Sequence, residues 1–262
     1  MLNFDLKHKK FIEDKLLDLI KDKKVNNVFN NLNDYIDLKI LDEYIINDII
    51  KDKHYGSEKA KKSAMDKHRG TIAEEILAYG LQKFLEENNL DSKISISSRN
   101  DLIQQYFSIY TAQNTNLRKK IDVDILLSNE DETKFYALSV KCSTRERVGQ
   151  SESVLFLLDR DVMKIKYNAS SELFKCKLWS DNNKIIKIKY GMVTYDLGDK
   201  KEYTKKTPNG RLRKNITREF DVELFYQDAK LGGGFTILNN LENFDKTIKF
   251  SDLVGKIQSF FN

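Results

Sequence analysis

The sequence predicts an α/β protein in which a helical N-terminal region precedes a sheet-bearing domain. Apolar residues recur at helical spacing through roughly the first ninety residues. From about Lys93 the pattern changes to short period-two runs, and no proline precedes Pro208 to break the early helices. At 262 residues the chain can bury one substantial core, or a core with an appendage. The expected division is a helical region over residues 1–55 and a domain over residues 56–262, or a single domain overall.

Taken in order, Phe11, Leu16, Leu17 and Ile20 mark a first helix, and a second amphipathic stretch runs from Leu32 to Ile50. A third spans Ser57 to Glu87, with Ala73, Ile76, Leu77, Gly80, Leu81 and Phe84 on one stripe, and Asn88-Asn89 with Asp91 ends it. Strands follow at Lys93 to Ser98, Ile121 to Leu127 and Phe135 to Lys141. The polar run Ser128 to Thr133 joins the last two as a hairpin, and a helix starts near Ser143. Lys184 to Tyr195, Phe220 to Tyr226 and Gly234 to Leu238 are further strands. Thr207-Pro208-Asn209-Gly210 is a turn, and a helix over Ser251 to Phe261 closes the chain.

Composition excludes several classes. Hydrophobic residues make up 40% and charged residues 32%, which suits a globular protein with a highly charged surface. No apolar run approaches the ~20 residues that span a bilayer, and no apolar stretch of a secretory signal follows Met1. With Cys142 and Cys176 as the only cysteines, neither a disulfide framework nor a zinc site is expected. The expected location is the cytoplasm, away from membranes. The net charge of +5 is compatible with nucleic acid, although 40 acidic residues accompany the 45 basic ones.

The hairpin carries the chemistry. In its first strand Ile121, Val123 and Ile125 share one face while Asp122 and Asp124 share the other; in its second, Leu138 and Val140 oppose Ser139 and Lys141. Pairing the polar faces gathers carboxylates and an ammonium group over a hydrophobic layer. Phosphodiester hydrolysis needs an activated water, a neutralised phosphate and a stabilised leaving oxygen, and carboxylate-held Mg²⁺ supplies much of this. Asp122 or Asp124 would hold the metal and Lys141 would orient the water. Either strand alone also reads as a solvated sheet face; the tandem pair followed by a basic helix favours the metal site.

Ile121-Asp122, then Ser139-Val140-Lys141, then Arg145-Glu146-Arg147 resembles the PD-(D/E)xK nuclease superfamily, and within it type II restriction endonucleases of the EcoRII and NgoMIV group. The resemblance covers roughly residues 68 to 160. It implies a restriction-endonuclease-like fold, a central mixed β-sheet flanked by helices. In that group the second acid of the motif is replaced by a small residue, here Ser139, and a carboxylate from the following helix takes its place. That carboxylate would fall at Val154, so Glu152, the nearest acid, is taken for the role, with Gly149 able to kink the helix between. Ile for Pro before Asp122 is a common departure. Asp122 is then the expected metal ligand, with Asp124 as its understudy and Glu152 assisting.

A helix before the sheet often supplies another carboxylate in this superfamily. On a wheel at ~100° per residue, Glu74 borders the apolar stripe and Glu75 points away from it. Glu74 is therefore the candidate and Glu75 is expected in solvent, while both also read as ordinary surface acids. Arg145 and Arg147 can each make bidentate bonds to guanine and Glu146 can accept from cytosine, with Gln150 one turn on. Ser143-Thr144-Arg145-Glu146 fits a capping box equally well, but two arginines in a first helical turn oppose the dipole and favour an anionic partner. The basic stretch Lys200 to Arg218, with Arg211 and Arg213 around the Pro-Asn-Gly turn, reads as a loop on the phosphate backbone or as a solvated hairpin.

The resemblance implies a Mg²⁺-dependent type II restriction endonuclease that cuts double-stranded DNA at a (pseudo)palindromic site containing C:G pairs and leaves 5′-phosphates. It implies a homodimer, one active site per strand, and a cognate DNA methyltransferase in the same system that is not a physical partner. A structure-specific repair or recombination nuclease and a non-catalytic DNA-binding protein are the alternative readings.

Overall fold

The computed structural model describes residues 2–3, 6–97, 108–111, 118–120, 123–141, 174–176, 187–195, 235–238, 247–248 and 250–262. Helix α1 (Lys9–Lys23) buries Phe11, Ile12, Leu16 and Ile20, while Leu17 is only partly covered. Lys24, in the left-handed region at φ 64°, turns the chain into α2 (Val25–Asn30). The stretch predicted as one helix from Leu32 to Ile50 is broken. A single 3₁₀ turn (Leu32–Asp34) precedes α3 (Leu38–Tyr44), which continues as a π-helical turn over Ile45–Ile49. The break has a local cause: the Asp37 carboxylate accepts the Ile40 amide at 2.8 Å, so Asp37 caps a new helix instead of continuing an old one.

Helix α4 (Glu58–Glu87) runs for 30 residues, close to its expected limits. Ser57 starts it by accepting the Ala60 amide at 3.2 Å, and Asn89, left-handed at φ 55°, ends it. Helix α5 (Phe250–Phe261) closes the chain as expected.

Among the described residues ten strands form two sheets. The larger contains β1 (Leu2–Asn3), β2 (Ile94–Ser97), β5 (Ile125–Asn129), β6 (Lys134–Lys141), β8 (Lys187–Tyr195), β9 (Phe235–Leu238) and β10 (Thr247–Ile248), in the order β1-β2-β5-β6-β8-β9-β10. Strand β5 runs antiparallel to both of its neighbours, β2 and β6, β8 lies parallel to β6, and β9 returns antiparallel to β8. The parallel step needs a long connection, which residues 142–186 make. A second, antiparallel sheet of three strands has the order β4 (Arg118–Lys120), β3 (Ser108–Thr111), β7 (Phe174–Cys176). The described residues thus form a mixed helix-and-sheet structure, consistent with the predicted α/β class. The predicted strand at Phe220–Tyr226, the helix from Ser143 and the turn at Thr207–Gly210 lie outside the described residues.

Most of the buried apolar side chains of the described residues join in one cluster that runs from α1 and α2 through α4 to the sheet and α5. Helix α4 packs on β2 and β6, and α5 packs on α2 and the β9–β10 edge. Tyr136, Leu138 and Val140 of β6 and Ile125 and Leu127 of β5 turn to this cluster. Phe135, Ala137 and Ser139, alternating with them, are buried on the other face.

Candidate active site

The hairpin predicted from the alternation is present, with β5 and β6 at the third and fourth places of the seven-strand order. Asn129 closes it. Its side-chain oxygen accepts the Thr133 and Lys134 amides at 2.9 and 2.8 Å, and its amide donates to Thr133 Oγ1 at 3.0 Å. Glu132 takes the left-handed conformation (φ 52°) that this four-residue connection requires. The closure fixes Ile125 opposite Leu138 and Leu127 opposite Tyr136. A slip of one residue would exchange the two faces of both strands.

At the far end of the pair sits Asp124. The strand begins at Ile125, four residues later than the predicted start at Ile121, and the chain bends at Asp124. The Asp124 amide donates to the Leu138 carbonyl at 2.8 Å, while its carboxylate Oδ2 accepts the Val140 amide at 2.8 Å and lies 3.4 Å from the Ser139 hydroxyl. A side chain therefore takes a place in the ladder that a backbone carbonyl would normally fill. Asp124 is 1% exposed and Ser139 likewise 1%. A buried carboxylate is unfavourable by several kcal/mol unless hydrogen bonds offset the lost hydration, and the Val140 amide and Ser139 hydroxyl are positioned to do so.

This geometry rules out a solvated face for Asp124 and Ser139. Residues 123–128 and 135–140 are buried on both faces, as central strands with covered faces are. The small residue of the Ser-x-Lys string touches the candidate ligand. Lys141 is the last residue of β6, paired with Thr194 of β8 and two positions beyond Ser139. Asp122, Arg145, Glu146, Arg147, Gln150, Glu152, Arg211 and Arg213 lie outside the described residues.

The two α4 acids are placed the other way round from the wheel's prediction. Glu75 is buried at 2% exposure and Glu74 is half-buried. Glu75 Oε2 accepts the His8 amide at 2.8 Å, and His8 Nδ1 shares a hydrogen bond with the Tyr44 hydroxyl at 3.1 Å. The physical reason is that α1 has neither a side-chain cap nor an acid in its first turn. Glu75 supplies both from another helix, as the glutamate of a capping box does within one. Glu87, lower on α4, does the same for α2 by accepting the Val25 amide at 3.1 Å. Sequence reasoning missed these roles, which become visible only when α1, α2 and α4 are placed side by side.

His8 and His68 approach with ring centroids 6.3 Å apart. Both are held below the ordinary histidine range, first by burial; each also feels nearby positive charge, His8 from His68 and Lys7, His68 from Lys53 and Lys67. Burial, with Asp48 and Glu75 adding repulsion, raises the Tyr44 hydroxyl.

Among the described residues no three His, Cys, Asp or Glu side chains converge to hold a metal ion. Asp124 has the donor chemistry a hard divalent cation prefers, a carboxylate oxygen held in place by its neighbours. Among the described residues, no helix is long and apolar enough to cross a membrane. Compared with known proteins, the chain matches no family model and no curated protein.

Proposed function

We propose that the protein is a Mg²⁺-dependent, sequence-specific endodeoxyribonuclease of the type II restriction class. The observation that carries this reading is the buried Asp124–Ser139 contact at the end of a central hairpin, two residues before Lys141. A carboxylate fixed beside a Ser-x-Lys string is what the nuclease resemblance requires, and what a wet, decorative sheet face lacks. The mixed sheet with helices packed on it supports the restriction-endonuclease-like fold.

Asp122 is the proposed metal ligand with Asp124 as its understudy, and the Asp124 carboxylate is tied to the Ser139–Val140 segment. Glu152 completes the proposed oxygen set, and Glu74 remains the assisting acid of α4, since Glu75 is occupied by the His8 amide. When bound, Mg²⁺ would supply Lewis-acid stabilisation of the phosphate. Lys141 would hold the attacking water by hydrogen bonding and offset charge at the phosphate. Ser139 would orient the Asp124 carboxylate, and burial around both would exclude bulk water. Arg145, Glu146, Arg147 and Gln150 would read base edges, Arg211 and Arg213 would hold the backbone, and a homodimer would cut both strands of a C:G-containing site.

Incubation of the purified protein with plasmid DNA, with Mg²⁺ and with a chelator, tests this. Discrete fragments that require the metal are expected. Cutting confined to junctions or flaps would assign a structure-specific repair nuclease instead, and binding without metal-dependent cutting would assign a DNA-binding protein.

A further inference from the structure

A cleft of about 280 Å³ lies between the π-helical turn after α3 and the first turn of α4. Its lining includes Lys51, Lys53, Lys61, Tyr55, Asn47 and one acid, Glu58. Lys51 and Lys53 are exposed and Lys61 is half-buried. Among the described residues no ion pair neutralises any of the three, whereas Lys9, Lys21, Lys39, Lys83 and Arg69 all have acidic partners. Three ammonium groups around one cleft repel one another, and an anion seated among them relieves that repulsion. Lysine ammoniums act as point charges toward phosphate oxygens, and the Tyr55 hydroxyl and Asn47 amide can donate beside them.

The placement also fits an extended polyanion. Along α4, Lys61 and Glu74 are about 20 Å apart at 1.5 Å of rise per residue. That is the length of about six base pairs of duplex. We propose that this cleft clamps the phosphate backbone of DNA to one side of the cleavage site, an inference that rests on the DNA reading above. The clamp carries charge without base contacts, so it contributes equally to cognate and unrelated sequences.

Binding of a short DNA duplex, with Ca²⁺ replacing Mg²⁺ and over a range of salt, tests it. The triple variant Lys51→Gln, Lys53→Gln, Lys61→Gln should lower the slope of log affinity against log salt by about 2 to 3, each phosphate contact contributing ~0.9. Cognate and unrelated duplexes should lose equally. The triple arginine variant should restore the slope, and Lys53→Gln alone should move it by about 1. An unchanged slope in the glutamine triple and in the single variant would overturn the clamp while leaving the nuclease reading in place. Failure of the wild-type protein to bind duplex DNA at any salt would overturn both.

Discussion

Asp124 ties its strand to the next, and in the proposed function it also lies at the metal site. Its carboxylate completes the hydrogen bonding of Val140 and fixes Ser139, so a structural role and a metal-binding role make separable predictions. Asparagine retains an oxygen that can accept the Val140 amide, whereas alanine leaves a buried donor unpaired at a cost of about 1–3 kcal/mol. Asp124→Asn should therefore melt near the wild-type temperature yet lose metal-dependent cleavage, and Asp124→Ala should lose stability as well. Thermal melts beside cleavage assays check this; an active Asp124→Asn would remove the residue from the metal site. The strand that places Ser139 two residues before Lys141 was legible in the sequence because period-two alternation is local. The contact of Asp124 with Ser139 and Val140 was not, since alternation treats Asp122 and Asp124 alike and the contact depends on the partner strand.

Gly80 poses a different question at the same scale. The sequence put it on the apolar stripe of α4 without a reason for glycine. In the structure a methyl group there would meet the fully buried Phe29 ring, which is packed in turn against Phe250 at 4.8 Å between centroids. Gly70, on the same helix, has open space. Gly70→Ala should stabilise by up to about 1 kcal/mol through helix propensity. Gly80→Ala should instead destabilise, overpacking costing about 1–3 kcal/mol against that gain. Denaturant melts of the pair decide it; similar shifts of the same sign would mean that Phe29 is not held against α4.

At the scale of elements, α4 organises the N-terminal half. Its Glu75 and Glu87 cap α1 and α2, Gly80 admits Phe29 of α2, and Arg69 holds both Asp42 oxygens of α3 at 2.7 and 2.8 Å. The helix itself was legible almost to its ends, because Ser57 and Asn88-Asn89 are local start and stop signals. What it touches was not, because a helical wheel reports the hydrophobic face and not a carboxylate buried to serve a neighbouring helix. The junction also has a pH dependence. His8 and His68 have folded pKa values depressed below the unfolded value of about 6.5, so folding favours their neutral forms. Their contribution is fully present above that value and is lost as pH falls through the lower, folded values. The groups around them are Lys7, Lys53, Lys67, Tyr44, Asp48 and Glu75. Melting temperature should accordingly fall on acidification below about pH 6.5, and His68→Gln should flatten that fall. An equally steep fall in the variant would assign it to carboxylates elsewhere.

For the whole molecule, the α/β class followed from the change of period near Lys93, and the central hairpin from its two runs. The sheet order did not, because β6 and β8 pair across a long stretch of intervening chain and no local pattern encodes that partnership. Nor did the burial of both faces of the hairpin, which turned an apparently wet strand pair into an enclosed one. The enclosure holds a fixed carboxylate and a hydroxyl beside it, with a lysine at the end of the same strand, and the proposed function rests on that arrangement. The most direct test is cleavage of supercoiled plasmid by wild-type protein and by Lys141→Ala, each with Mg²⁺ and with a chelator. Wild-type protein should give discrete fragments only with Mg²⁺, and Lys141→Ala should bind the same DNA but cut it at least about a hundredfold more slowly. Cleavage by Lys141→Ala at the wild-type rate, or by wild-type protein without a divalent metal, would contradict the site proposed at Asp124, Ser139 and Lys141.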